Sequence, residues 1–176
     1  MYNNILYPTD GSSGANAAFE YALDLATNYD ATLHILFVID AEHIETGMTP
    51  RKQTGEDDRR VTGMMKRDEE TAGAGSMSRN EDIAELLERR GHQLTDEIAS
   101  RLIEEGCEAT AVVEKGDPPR VITEYAETND IDLITMGTHG RRGIKRRLIG
   151  SVTENVVRTS EVPVMTVRLD GDASKR

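Results

Sequence analysis

The chain has 176 residues, 37% hydrophobic and 30% charged, a length that predicts one domain with a single substantial core. A formal net charge of −11 and a pI near 4.8 argue against nucleic acid and anionic membrane as partners, because the surface as a whole repels both. Cys107 is the only cysteine, which excludes an intramolecular disulfide and a Cys-cluster zinc site and fits a reducing cytoplasm.

Met1 leads directly into a strand pattern without the regions of a secretory leader, and no apolar run approaches membrane-spanning length, so a soluble cytoplasmic protein is expected. Ile5 to Tyr7 forms a short apolar strand that stops at Pro8 and gives way to the turn-rich Thr9-Asp10-Gly11-Ser12-Ser13-Gly14. Ala15, Ala18, Phe19, Ala22, Leu25 and Ala26 then recur at helical spacing, and Thr32 to Ile39 is a second β-rich run that ends at Asp40. Residues from about 41 to 80 lack an apolar face and predict a flexible insertion, a mobile flap. Ser78 with Glu81 forms a capping-box signature for a helix whose stripe, Ile83, Leu86, Leu87, Leu94, Ile98 and Leu102, runs to Gly106.

Cys107 to Glu114 alternates weakly as a third strand, and Asp117 with Pro118 marks the next helix start, with Val121, Ile122, Tyr125 and Ala126 on its buried side. Asp132 to Met136 is a fourth strand, Ser151 to Thr159 a helix and Val162 to Val167 a fifth strand. Strands alternating with helices predict an α/β fold, an open parallel sheet with helices on both faces. No motif recurs, so residues 1–170 form one domain, followed by a charged tail at 171–176.

The stretch after the fourth strand carries the strongest functional signal. Gly137, Gly140 and Gly150-Ser151 stand at the spacing G-x2-G-x9-G-S, between a buried strand and an amphipathic helix. Glycines at the end of such a strand let backbone approach a ligand, and the helix start behind them offers N–H groups at a positive dipole end, the make-up of a phosphate site. The P-loop order G-x4-G-K-[ST] and the dinucleotide order G-x-G-x-x-G are both absent.

Each residue also has a purely structural role open to it. Gly137 and Gly140 suit tight turns with positive φ, and Ser151 with Glu154 reads as a capping box. Even with the serine hydroxyl so engaged, the amides of Ser151, Val152 and Thr153 can bind phosphate. Arg141, Arg142, Lys145, Arg146 and Arg147 form the densest basic cluster; Arg141 and Arg142 follow Gly140 directly and are the better phosphate partners, while Arg146 and Arg147 read equally as a solvated face. His139 has no positioned partner, and His34, His43 and His92 show no metal-binding spacing, so no protein metal site is expected. Asp10, at the end of the first strand, suits ribose hydroxyls or an adenine amino group, or else a turn aspartate capping the next helix.

This glycine run, together with Ile5-Leu6-Tyr7-Pro8-Thr9-Asp10 and Val162-Pro163-Val164-Met165-Thr166-Val167, closely resembles the universal stress protein family, its ATP-binding, single-domain members in particular. The resemblance covers most of the chain except about residues 41 to 80. It implies a five-stranded sheet of order 3-2-1-4-5 in a Rossmann-like adenine-nucleotide fold, with Asp10 on the nucleotide and the backbone of Val38 on adenine. The implied site comprises Pro8, Thr9, Asp10, Val38, Met136, Gly137, Gly140, Gly150, Ser151, Val152 and Thr153, joined by Arg141 and Arg142. Its ligand is ATP or another adenine nucleotide, with Mg²⁺ or Mn²⁺ admitted on the phosphates.

The functional expectation is an ATP-binding switch or partner protein of the stress response, its clients unspecified, with at most slow hydrolysis. No carboxylate stands beside Gly137 to Ser151 as an evident base for phosphoryl transfer. One alternative is an ATP pyrophosphatase or adenylyl-transfer enzyme, whose S-G-G-x-D-S-like loop is missing after the first strand; another is a nucleotide-free interaction module, against which the complete glycine spacing speaks. In the implied sheet order Val162 to Val167 is an edge strand, which predicts a homodimer through that strand. The acidity fits either an ordinary cytosolic protein or adaptation to high salt.

Overall fold

The computed structural model describes residues 2–40, 74–138 and 149–168. In chain order they form β1 (Asn4–Pro8), α1 (Ser13–Tyr29), β2 (Thr32–Asp40), α2 (Ala74–Glu104), β3 (Ala109–Gly116), α3 (Pro118–Thr128), β4 (Leu133–Gly137), α4 (Ser151–Thr159) and β5 (Val164–Val167). The five strands make one sheet of order β3-β2-β1-β4-β5, and every neighbouring pair is parallel. Helices cover both faces, as parallel strands with crossover connections require.

Strand alternation sorts the core into two layers. Ile5, Tyr7, Leu33, Ile35, Leu133 and Val167 face Ala18, Phe19, Ala22 and Ala26 of α1 and Ile98, Ala99 and Leu102 of α2. Leu6, Leu36, Ile134 and Met136 face Val121, Ile122, Tyr125 and Ala126 of α3 and Val156 of α4. Phe37 and Ile39 extend the first layer under Ile83 and Leu87 of α2.

Several element ends differ from expectation. Helix α2 starts at Ala74, upstream of Ser78, so the backbone of Ser78 lies within the helix and not at its start. The end of the interval expected to be flexible is therefore helical backbone, while residues 41–73 lie outside the described residues, as do 139–148 and the expected charged tail. Strand β3 is displaced towards its carboxyl end. The Cys107 amide still closes the last turn of α2 on Leu102, while pairing with β2 carries the strand on to Gly116 opposite Asp40.

At the other end of the sheet, Asp132 precedes β4; its carboxylate accepts the amides of Asn3 (2.6 Å) and Asn4 (3.1 Å). These bonds, from Asn3 first, hold its pKa below the usual aspartate value. Val162 and Pro163 lie before β5, and the Pro163 carbonyl accepts the Ile134 amide at 2.9 Å. Proline is tolerated there because it donates nothing and sits ahead of the strand.

Candidate functional site

The carboxyl ends of β1 and β4 lie side by side, with α1 leaving from one and α4 arriving beside the other. After Pro8 the chain stays against β2 for one residue, the Thr9 amide donating to the Leu36 carbonyl at 2.9 Å. Thr9 Oγ1 then accepts the Gly11 amide (3.2 Å) and Asp10 Oδ1 accepts the Ser12 amide (2.9 Å), folding the segment into a tight turn in which Gly11 takes a φ of 74°. The cap of α1 is Ser12, whose Oγ accepts the Ala15 amide at 3.2 Å. Asp10 shapes the turn that leads to the helix and is not itself the cap. Its side chain is half-exposed, whereas Pro8 and Thr9 are buried.

Gly137 is buried at the end of β4, and a Cβ there would overlap the carbonyl of Gly14 and come within 3.0 Å of the Ala15 amide nitrogen. Glycine is required because two backbones meet at that point. Positive φ is not the reason, since Gly137 is absent from the described glycines with that conformation. Gly14, the partner in this approach, has no signal of its own in the sequence beyond the run of small residues Ser13-Gly14-Ala15, which is what such a contact needs.

The two ends of the loop beyond β4 are tied together. The Thr138 amide donates to Val167 at 2.8 Å, the Gly150 amide donates to the Thr138 carbonyl at 2.7 Å, and Thr153 Oγ1 donates to the Gly137 carbonyl at 2.8 Å. Gly150 is the N-cap of α4, with φ −64° and ψ 149°, and no side chain caps the helix. This corrects the expected capping box: Ser151 is already the first helical residue and is exposed, because the Gly150 carbonyl takes the Glu154 amide at 2.9 Å. The first-turn amides of Ser151, Val152 and Thr153 thus have no side-chain cap, and Glu154 is the acidic residue of that turn.

Val38 is half-buried on β2, two residues beyond Leu36 and so level with the Asp10 turn. Met136 is buried in the layer under α3 and α4, so its side chain belongs to the core. Gly140, Arg141, Arg142, His139, Lys145, Arg146 and Arg147 lie outside the described residues. Among the described residues no group of His, Cys, Asp and Glu is arranged to hold a metal ion, and no helix is long and apolar enough to cross a membrane.

The architecture is that of an open, doubly wound α/β protein whose strand order reverses between β1 and β4, the place where such sheets take up ligands. The model of the universal stress protein family matches residues 1–168. Universal stress protein MJ0577 of Methanocaldococcus jannaschii is 30% identical over 175 residues, covering 96% of each chain. Its solved structure matches with a TM-score of 0.73 and 28% identity, over 98% of this chain and 99% of that one. A universal stress protein family member from Arabidopsis thaliana, solved with AMP bound, has a TM-score of 0.60 at 17% identity over 97% and 94% of the two chains. A universal stress protein solved in complex with cAMP has a TM-score of 0.55 at 24% identity over 94% and 97%. These last two likenesses speak for the fold alone. The chain belongs to the universal stress protein family.

Proposed function

We propose that this protein binds an adenine nucleotide, ATP in the first place, and serves the stress response as a nucleotide-dependent switch or partner protein in the cytoplasm. The observation that carries this reading is the convergence of the Asp10 turn and the start of α4, which lacks a side-chain cap, at the switch point of the sheet. In this reading the Asp10 carboxylate receives ribose hydroxyls and Val38, half-buried on the next strand, borders adenine. The amides of Ser151, Val152 and Thr153 receive phosphate, together with Gly140, Arg141 and Arg142 of the loop.

Mg²⁺ or Mn²⁺ enters this reading as an ion carried by the phosphates. No general base is assigned, so any hydrolysis is slow. A second copy of the chain joins along the outer edge of β5.

Two measurements test the reading. Mass spectrometry of ligand released from freshly purified, denatured protein identifies the nucleotide it carries. Calorimetry then compares ATP binding to the parent and to Gly140→Asp, which sets a negative charge in the phosphate loop. A parent that takes up no adenine nucleotide, or a folded Gly140→Asp variant with unchanged affinity, overturns the assignment.

A further inference from the structure

Tyr7 is fully buried, its ring tilted against Phe19 at a centroid distance of 5.6 Å. Its hydroxyl lies 3.0 Å from the carbonyl oxygen of Ala15 and 3.4 Å from Thr9 Oγ1. A phenol has one proton and a carbonyl can only accept, so Tyr7 donates to Ala15 and the Thr9 hydroxyl turns its own proton to the phenol oxygen. Thr9 Oγ1 in turn accepts from the Gly11 amide at 3.2 Å. The result is a directed chain, Gly11 to Thr9 to Tyr7 to Ala15, in which every donor is used once.

A phenylalanine would fill the same space without bringing a hydroxyl into the core, where an unsatisfied one is costly. The partners of this hydroxyl all belong to the turn and the helix start beside the site. Thr9 and Gly11 bracket Asp10 in sequence. Ala15 follows Gly14, the residue against which Gly137 packs. Tyr7 therefore fastens the Asp10 turn to the first turn of α1, and α1 in turn abuts the end of β4. Burial pushes the phenol up to about 12, while the bond from Thr9 acts in the opposite direction, so the group stays protonated at any physiological pH.

We infer that Tyr7 is a positioning residue, whose hydroxyl holds the turn so that the Asp10 carboxylate meets a ribose. The inference rests on the nucleotide reading above and adds a residue outside the set expected to touch the ligand.

The test uses Tyr7→Phe in the full chain, with Tyr29→Phe, an exposed tyrosine set edge-to-face against Tyr2, as control. Without ligand, hydrogen exchange at the Gly11 amide is expected to rise roughly tenfold in Tyr7→Phe while the amides of β2 keep their protection. With ligand, ATP and AMP are expected to bind roughly five- to tenfold more weakly, and inorganic tripolyphosphate, which has no ribose, as it does to the parent. In an Asp10→Ala background Tyr7→Phe is expected to cost no further affinity, since it acts through that carboxylate.

A general loosening of the fold would weaken all three ligands alike, and that result overturns the inference, as does unchanged exchange at Gly11. Nucleotide affinity equal in parent and Tyr7→Phe overturns the inference alone. Failure of the parent to bind any adenine nucleotide removes the proposed function and the role of Tyr7 with it.

Discussion

Thr153 donates its hydroxyl to the carbonyl of Gly137 at 2.8 Å, a buried bond that joins the first turn of α4 to the last residue of β4. Through it the helix start is held at a fixed height above the sheet, which is what a backbone phosphate site needs. Thr153→Val keeps the shape and leaves the Gly137 carbonyl without this donor. Urea denaturation should show a loss of about 1–3 kcal/mol, with ATP affinity reduced as α4 loosens. Unchanged stability would mean that another donor takes the carbonyl.

Gly137→Ala should be destabilising by about 1–3 kcal/mol or more, because the added methyl meets the backbone of Gly14 and cannot be relieved by a side-chain rotation. Thermal melting measures it. A melting temperature equal to the parent's in Gly137→Ala would show that α1 can shift without cost.

Asp10→Ala should lower ATP affinity about tenfold or more, since it removes the proposed acceptor for ribose together with the bond to the Ser12 amide. Asp10→Asn retains an oxygen for Ser12 and so separates the two effects by calorimetry. Equal affinity in all three proteins would place the ribose elsewhere.

His34 Nδ1 lies 2.8 Å from the Tyr125 hydroxyl, and burial pulls the His34 pKa below its ordinary value of 6.5. Its folded pKa is the lower one, so the unfolded chain binds the proton more readily. Stability from this group is complete above about pH 6.5 and is lost as the pH falls through the folded value. The melting temperature should therefore fall between about pH 7 and pH 5, and fall less in His34→Gln, which keeps a polar partner for Tyr125 and cannot titrate. Identical slopes in the two proteins would assign the acid sensitivity to other groups.

The proposed homodimer is tested at the edge of β5. The Ile134 and Thr138 amides bond to Pro163 and Val167, so the alternate residues Val164 and Thr166 turn their backbone groups away from β4, to the outer edge of the sheet. Val164 also packs against the layer under α3 and α4, whereas Thr166 is exposed, which makes Thr166→Pro the cleaner substitution. Light scattering at micromolar concentration should give two chains for the parent and one for Thr166→Pro. A parent mass of one chain removes the dimer, and an unchanged dimer in the variant moves the interface away from this edge.

Local pattern was enough to read the alternation of strands and helices, because each element carries its own period and its own stop: Pro8 at the end of β1, Asp117 with Pro118 before α3, Gly106 after α2. It also marked the glycine spacing and Asp10, where residue type alone restricts what the backbone can do. It misjudged the start of α2, because helical backbone upstream of Ser78 has no apolar stripe to announce it, and it set the first residues of β3 and β5 too early.

Only the tertiary structure decided why particular residues stand where they do. Gly137 is glycine because Gly14, far away in sequence, approaches it from α1 on the face of the sheet, and no local window contains both. Ser151 is a helix residue and not a cap because the Gly150 carbonyl receives Glu154, while Gly150 itself is held by Thr138 across a loop. Tyr7 reads in sequence as one more apolar strand residue; its hydroxyl gains meaning only when α1 folds back and presents the Ala15 carbonyl. Sequence thus determines which residues favour a strand, a turn or a helix start, since those preferences are short-ranged. Which backbones touch, and which polar groups they satisfy, follows from packing between distant segments.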